Sequence, residues 1–123
     1  METNYIFFKS RDEILRIDTS AIVYFEADGN YTHIILANGL KGLMCMNLAR
    51  MQKTLELSMK DKARRFVRIG KRYIINMNYI YHVHVLHQSV ILSDQKTFSY
   101  EIQISKEALR NLKELIEQSV SRQ

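Results

Sequence analysis

The stretch Phe66-Val67-Arg68-Ile69-Gly70-Lys71-Arg72-Tyr73-Ile74-Ile75-Asn76 decides how this chain is read. Aromatic and β-branched residues run through Phe66 to Ile75, which favours extended backbone. Three cations are interleaved with them. Their apolar neighbours Phe66, Val67, Ile69, Tyr73 and Ile74 should anchor Arg68, Lys71 and Arg72 to a sheet and fix their direction. Gly70 stands between them, where the backbone can turn or approach a partner closely. Cations mounted in this way have little side-chain freedom left to lose, which suits phosphate and base-edge contacts.

Charge elsewhere sharpens the point. Lys60 to Arg72 holds seven cations against Asp61 alone, a balance of +6 in 13 residues, whereas the whole chain of 123 residues carries +5. The rest of the chain is therefore close to neutral, and the positive charge is local. Its first part, Lys60 to Arg65, lacks apolar anchors and reads as a solvated, flexible loop.

Outward from this segment the pattern is a series of short strands separated by turn residues. Ala21 to Ala27 is apolar on both faces, as in an interior strand. Asp28-Gly29 leads into a second strand from Asn30 to Ala37, and Asn38-Gly39 is a strong hairpin signal. A third strand from Leu40 to Met46 completes a meander. Asn47 reads as a helix N-cap, followed by Leu48, Met51, Leu55 and Met59 at helical spacing. Beyond the basic segment, Ile80 to Leu86 pairs with Ser89 to Ser93. Phe98, Tyr100, Ile102 and Ile104 then alternate with polar residues in a half-buried strand. Ser105 caps a last helix with Leu109, Leu112 and Ile116 on its apolar face and Glu107 in the first turn. The fold class expected is mainly β, with small antiparallel sheets, one internal helix and a C-terminal helix. No pair of adjacent helices offers a helix-turn-helix.

Composition narrows the function classes. Hydrophobic residues make up 46% and charged residues 25%, as in a globular domain with one core. No Pro or Gly/Ser tract marks a linker, so residues 1–123 read as a single domain. One cysteine, Cys45, excludes an intrachain disulfide framework and reads as a core thiol among Leu43, Met44 and Met46. No apolar run approaches the roughly 20 residues that span a bilayer, and the N-terminus lacks a signal-peptide pattern. A cytoplasmic location without membrane contact is expected. His82 and His84 share a strand face near His87, but no carboxylate or cysteine stands at ligand spacing, so no metal site is expected. No nucleophile elbow or Gly-rich phosphate loop occurs, and Glu26 and Asp28 have no cleft-like surroundings. Neither an enzyme nor a cofactor is indicated.

Three stretches together resemble a known family. Ile22-Val23-Tyr24-Phe25-Glu26-Ala27-Asp28-Gly29-Asn30-Tyr31 is similar to the opening signature of the LytTR-type DNA-binding domain. Phe66 to Asn76 followed by Ile80 resembles its central signature, and Ile102-Gln103-Ile104-Ser105-Lys106 the strand end before its last helix. The resemblance covers Ala21 to Leu112. It implies an elongated, β-rich domain of bacterial transcription regulators, including response regulators, that inserts loops into successive major grooves of double-stranded DNA. Carried over by position, it points to Asn30, Thr32 and His33 on a first loop, Arg68, Lys71 and Arg72 on a central one, and Lys106 on a third. Tyr73 and Asn76 match structural positions. Homodimers or tandem binding on repeated half-sites fit such a regulator. Gly70 stands where the family commonly has His, and Arg72 where it has a small hydroxyl residue. Family members usually carry a receiver or a membrane segment ahead of this domain, so a stand-alone regulator or a fragment is expected.

Geometry read from the sequence agrees with this placement. A strand of eight residues from Asn30 to Ala37 separates its two turns by roughly 26 Å, so only one end can face DNA, and the Asp28 end is assigned. Two rival readings remain. One is a protein-interaction or dimerisation module of the same fold without DNA binding, which would self-associate independently of salt. The other is single-stranded nucleic-acid binding through Tyr5, Tyr31, Tyr79 and Tyr81, which needs exposed stacking rings.

Overall fold

The computed structural model describes residues 4–120, whose contacts fall into two compact units, one running to Asn78 and the other beginning at Tyr79.

The first unit opens with an antiparallel hairpin of β1 (Tyr5–Lys9) and β2 (Ile14–Asp18). The sequence reading did not foresee it. A short 3-10 turn leads into β3 (Ile22–Asp28), followed by β4 (Tyr31–Leu36) and β5 (Lys41–Met44). This is the expected meander, though β4 has six residues and spans roughly 20 Å, not eight and 26 Å. Asn47 caps α1 (Leu48–Met59), its Oδ1 accepting from the Arg50 N–H at 2.9 Å. The basic segment Lys60–Arg65 is a 3-10 helix, not the expected flexible loop. Lys60 ends α1 at a positive φ of 53°, and Ala63 is buried, which ties the segment down.

Phe66 to Ile75 is not one extended run. It folds into β6 (Phe66–Ile69) and β7 (Tyr73–Asn76), joined by Gly70 to Arg72. Strands in the five-stranded antiparallel sheet follow the order β5-β4-β3-β7-β6. One face of this sheet supplies Phe25, Ile34, Met44, Phe66 and Ile74 to the core. Ile6 and Phe8 from β1, Ile17 from β2, and Leu48, Met51 and Leu55 from α1 close over it. Phe25 lies at the centre, its ring edge-on to Phe8 at 5.9 Å and to Phe66 at 6.0 Å.

The second unit is a three-stranded antiparallel sheet of order β10-β9-β8, with β8 (Ile80–His84), β9 (Ser89–Ser93) and β10 (Ser99–Gln103), and a helix α2 (Lys106–Val120). Val90, Leu92, Ile102, Ile104, Leu109 and Leu112 are its buried apolar residues. Between β9 and β10 the Asp94 carboxylate accepts from the Thr97 hydroxyl and from the N–H groups of Lys96, Thr97 and Phe98. These bonds, the Thr97 hydroxyl foremost, hold its carboxyl far below the ordinary range. Ser105 Oγ accepts from the Ala108 N–H at 3.3 Å, the capping contact expected of it.

Cys45 is exposed, contrary to the expectation of a core thiol. Met44 and Met46 take the two inward positions, so extended backbone turns the residue between them outward. No helix among the described residues is long and apolar enough to cross a membrane.

Candidate nucleic-acid interface

Two turns of the first unit lie at one end of the five-stranded sheet. Antiparallel pairing sets Asp28 opposite Tyr31 and Glu26 opposite Tyr73, so the Gly29-Asn30 turn and the Gly70-Arg72 turn emerge side by side. A backbone bond from the Ala27 N–H to the Arg72 carbonyl, 2.8 Å, joins them. Both turns need a left-handed residue, and both place glycine there: φ is 59° at Gly29 and 64° at Gly70. Asn38-Gly39 sits at the opposite end of β4, as expected.

The cations of the central turn differ in how they are held. Arg68 reaches across the turn, its Nη2 donating to the Lys71 carbonyl at 3.3 Å. Arg72 donates from Nη2 to Glu26 Oε2 at 2.8 Å, with its Cζ 5.6 Å from the centre of the Tyr73 ring. Lys71 is exposed at the tip, and among the described residues its ammonium has no hydrogen-bond partner. The turn therefore presents two braced guanidinium groups and one free ammonium.

On the first turn the candidates separate. Asn30 is exposed, and its side-chain amide is unpaired among the described residues. His33 is half-buried, and its Nε2 lies 2.9 Å from Asp28 Oδ2. Asp28 thus has a hydrogen-bonding partner beside it. Thr32 does not fit the contact role assigned to it. It is fully buried, and its hydroxyl donates to the Met46 carbonyl at 2.6 Å, fastening β4 to the segment after β5. The period of the strand decides this, because Thr32 shares the inward face of Ile34. Lys106 is exposed at the first position of α2, in the second unit.

Sequence reasoning missed Glu26 as a member of this site. Its carboxylate takes the Arg72 guanidinium and, at 3.4 Å, the Tyr73 hydroxyl. Burial, then the Glu26 carboxylate, push the Tyr73 phenol above its ordinary 10.0, against a smaller opposing pull from Arg72. A phenol that holds its proton more tightly when folded stabilises fully below the unfolded value. That contribution is lost as pH rises through the higher folded value. Urea midpoints taken from about pH 9 to about pH 11 should therefore fall more steeply for the wild type than for Tyr73→Phe. Parallel slopes would contradict the assignment.

The histidines of the second unit have a different arrangement. His84 and His87 stack in parallel with ring centres 3.7 Å apart, and His84 Nδ1 accepts from the His87 N–H. No group of three His, Cys, Asp or Glu side chains among the described residues is arranged to hold a metal ion. Tyr5, Tyr31 and Tyr81 are exposed, but Arg16 lies over the Tyr5 ring at 4.5 Å and Tyr79 packs edge-on against Phe98.

A β-rich unit that sets a cationic turn beside a polar one at one sheet end can present both to an anionic partner. The family model of the LytTr DNA-binding domain matches this chain over residues 12–117. The chain belongs to the LytTR DNA-binding domain family, whose members serve in transcription regulators. Among solved structures it is similar to a LytTr DNA-binding domain of a methyl-accepting/DNA response regulator from Bacillus cereus. The two share 20% identity with a TM-score of 0.64, covering 94% of this chain and 98% of the other. At that identity the likeness bears on the fold, and it agrees with the expected small antiparallel sheets and two helices. No curated protein matches the chain.

Proposed function

We propose that this chain is a sequence-specific, double-stranded DNA-binding transcription regulator of the cytoplasm that reads successive major grooves through its turns, with residues 1–123 working as one DNA-binding domain. The observation that carries the reading is the Gly70-Arg72 turn. It places the unpaired Lys71 ammonium between two braced arginines, beside the Asn30 amide at the same sheet end. Family membership supports the same partner.

Each residue has a role in this reading. Lys71 and Arg72 supply donors to guanine O6 and N7, and Asn30 pairs with adenine. His33, Arg68 and Lys106 contact the backbone or an adjacent base, whereas Thr32 serves the fold. Tandem or dimeric occupancy of repeated half-sites belongs to the same reading and would show as a second step on a two-site duplex.

Fluorescence anisotropy over a salt series tests this. Lys71→Ala and Lys106→Ala should each weaken specific binding by about 1–3 kcal/mol and relax discrimination. Lys60→Ala and Lys62→Ala should mainly flatten the salt dependence, because their 3-10 helix offers charge without a base-facing turn. Equal effects from both pairs would sink the distinction. Salt-independent self-association with no duplex retained would instead favour an interaction module of the same fold.

A further inference from the structure

Arg72 is the most constrained cation at the sheet end. Its carbonyl is tied to the Ala27 N–H, its guanidinium to Glu26 at 2.8 Å, and its charge lies 5.6 Å from the Tyr73 ring centre. Glu26 in turn is fixed, since it sits in the middle of the sheet on β3, opposite Tyr73 on β7 and His33 on β4. Its side chain is 29% exposed, while that of Arg72 is 65% exposed. The carboxylate is thus set back from the surface and the guanidinium projects in front of it. A guanidinium is a planar fork with five donors, so one bond to a carboxylate leaves donors facing outward in a defined plane.

This arrangement has two consequences for a duplex. A fork held in one plane matches a paired acceptor such as O6 and N7 of guanine, and loses little freedom on docking. A carboxylate behind it lowers the local positive potential, which weakens attraction to phosphates of any sequence. Both effects favour discrimination over affinity.

We propose that Glu26 is a positioning residue that sets DNA specificity, holding Arg72 for a guanine edge and opposing its use as a general phosphate contact. This rests on the DNA-binding reading above. The test uses the full chain, a duplex recovered by the wild type from a random-sequence pool, and a scrambled duplex of equal composition. Glu26→Gln keeps the side-chain length and removes the charge.

For Glu26→Gln, affinity for the scrambled duplex should rise several-fold. The ratio of selected to scrambled affinity should fall about ten-fold, within the range typical of one base-reading contact. The salt dependence on the scrambled duplex should steepen by about one ion. In a Glu26→Gln background, Arg72→Ala should produce little further loss of the ratio, because the two residues act as a unit. Arg72→Lys, which needs no change in the sheet, should also lower the ratio while sparing affinity for the scrambled duplex. It keeps the test available if Glu26→Gln fails to fold. An unchanged ratio in Arg72→Lys and Glu26→Gln, or additive losses in the double variant, would overturn the proposal. A wild type that selects no duplex at any salt would overturn the DNA-binding reading instead.

Discussion

Replacing Phe25 with alanine should lower the stability of the first unit by about 3–5 kcal/mol, the range found when a large buried aromatic is truncated. Phe25 is fully buried on the middle strand, and its ring is the common partner of Phe8 on the β1–β2 hairpin and Phe66 on β6. Truncation removes the transfer free energy of the ring, leaves a cavity, and ends two edge-to-face contacts together. Urea denaturation followed by circular dichroism reads the effect. Phe25→Leu should recover a large part of it, because most of the volume returns. A loss below about 1 kcal/mol in Phe25→Ala would show that the sheet and the hairpin are not joined through this ring.

Asn76→Leu should cost about 2–4 kcal/mol with almost no change in volume, because the loss is of hydrogen bonds inside the protein. Asn76 is 1% exposed. Its Nδ2 donates to the Ile22 carbonyl at 2.8 Å, and its Oδ1 accepts from the Asn78 N–H at 3.0 Å. The residue therefore joins the start of β3 to the end of β7 and shapes the turn that follows. Leucine strands the Ile22 carbonyl in the interior and frees the Asn78 amide. Hydrogen exchange should accelerate at Asn78, and the urea midpoint should drop. Protection unchanged at Asn78 would contradict this account. Affinity for DNA of the remaining folded protein should be unaffected, which separates this position from Lys71.

Much of the architecture was legible because local signals agreed with one another. The meander of β3, β4 and β5 is announced by Asp28-Gly29 and Asn38-Gly39, and α1 by the Asn47 cap and its apolar spacing. The β1–β2 hairpin was not legible. Tyr5-Ile6-Phe7-Phe8 is apolar without alternation, and the turn from Ser10 to Glu13 contains no glycine. It closes through an N–H to carbonyl bond between those two residues. Thr32 and Cys45 depart from expectation for one reason: the strand period of two outweighs residue chemistry, which puts Thr32 inward beside Ile34 and Cys45 outward between Met44 and Met46.

The candidate site was legible as composition and not as pairing. The interleaved cations of Phe66 to Tyr73 announce themselves in the sequence. The bond between Glu26 and Arg72 joins residues 46 positions apart, and only the β3–β7 register brings them together. Asp28 and His33 are five apart, a separation that means nothing until the intervening turn is known. Long-range register was the missing information in both cases.

The two ends of β4 offer unequal opportunities for attaching a probe. The exposed Asn38-Gly39 turn lies at the opposite end of β4 from the Gly29-Asn30 turn, so a dye or tether placed at Asn38 would stand well away from the end proposed to contact DNA. The native thiol would be a poor choice for the same purpose. Pairing of Met44 with Thr32 brings Cys45 to the Asn30 end, where a bulky thiol reagent would stand beside the turns proposed to contact DNA. Surface tethering through position 38, with Cys45 changed to serine, would leave the proposed recognition end facing solution.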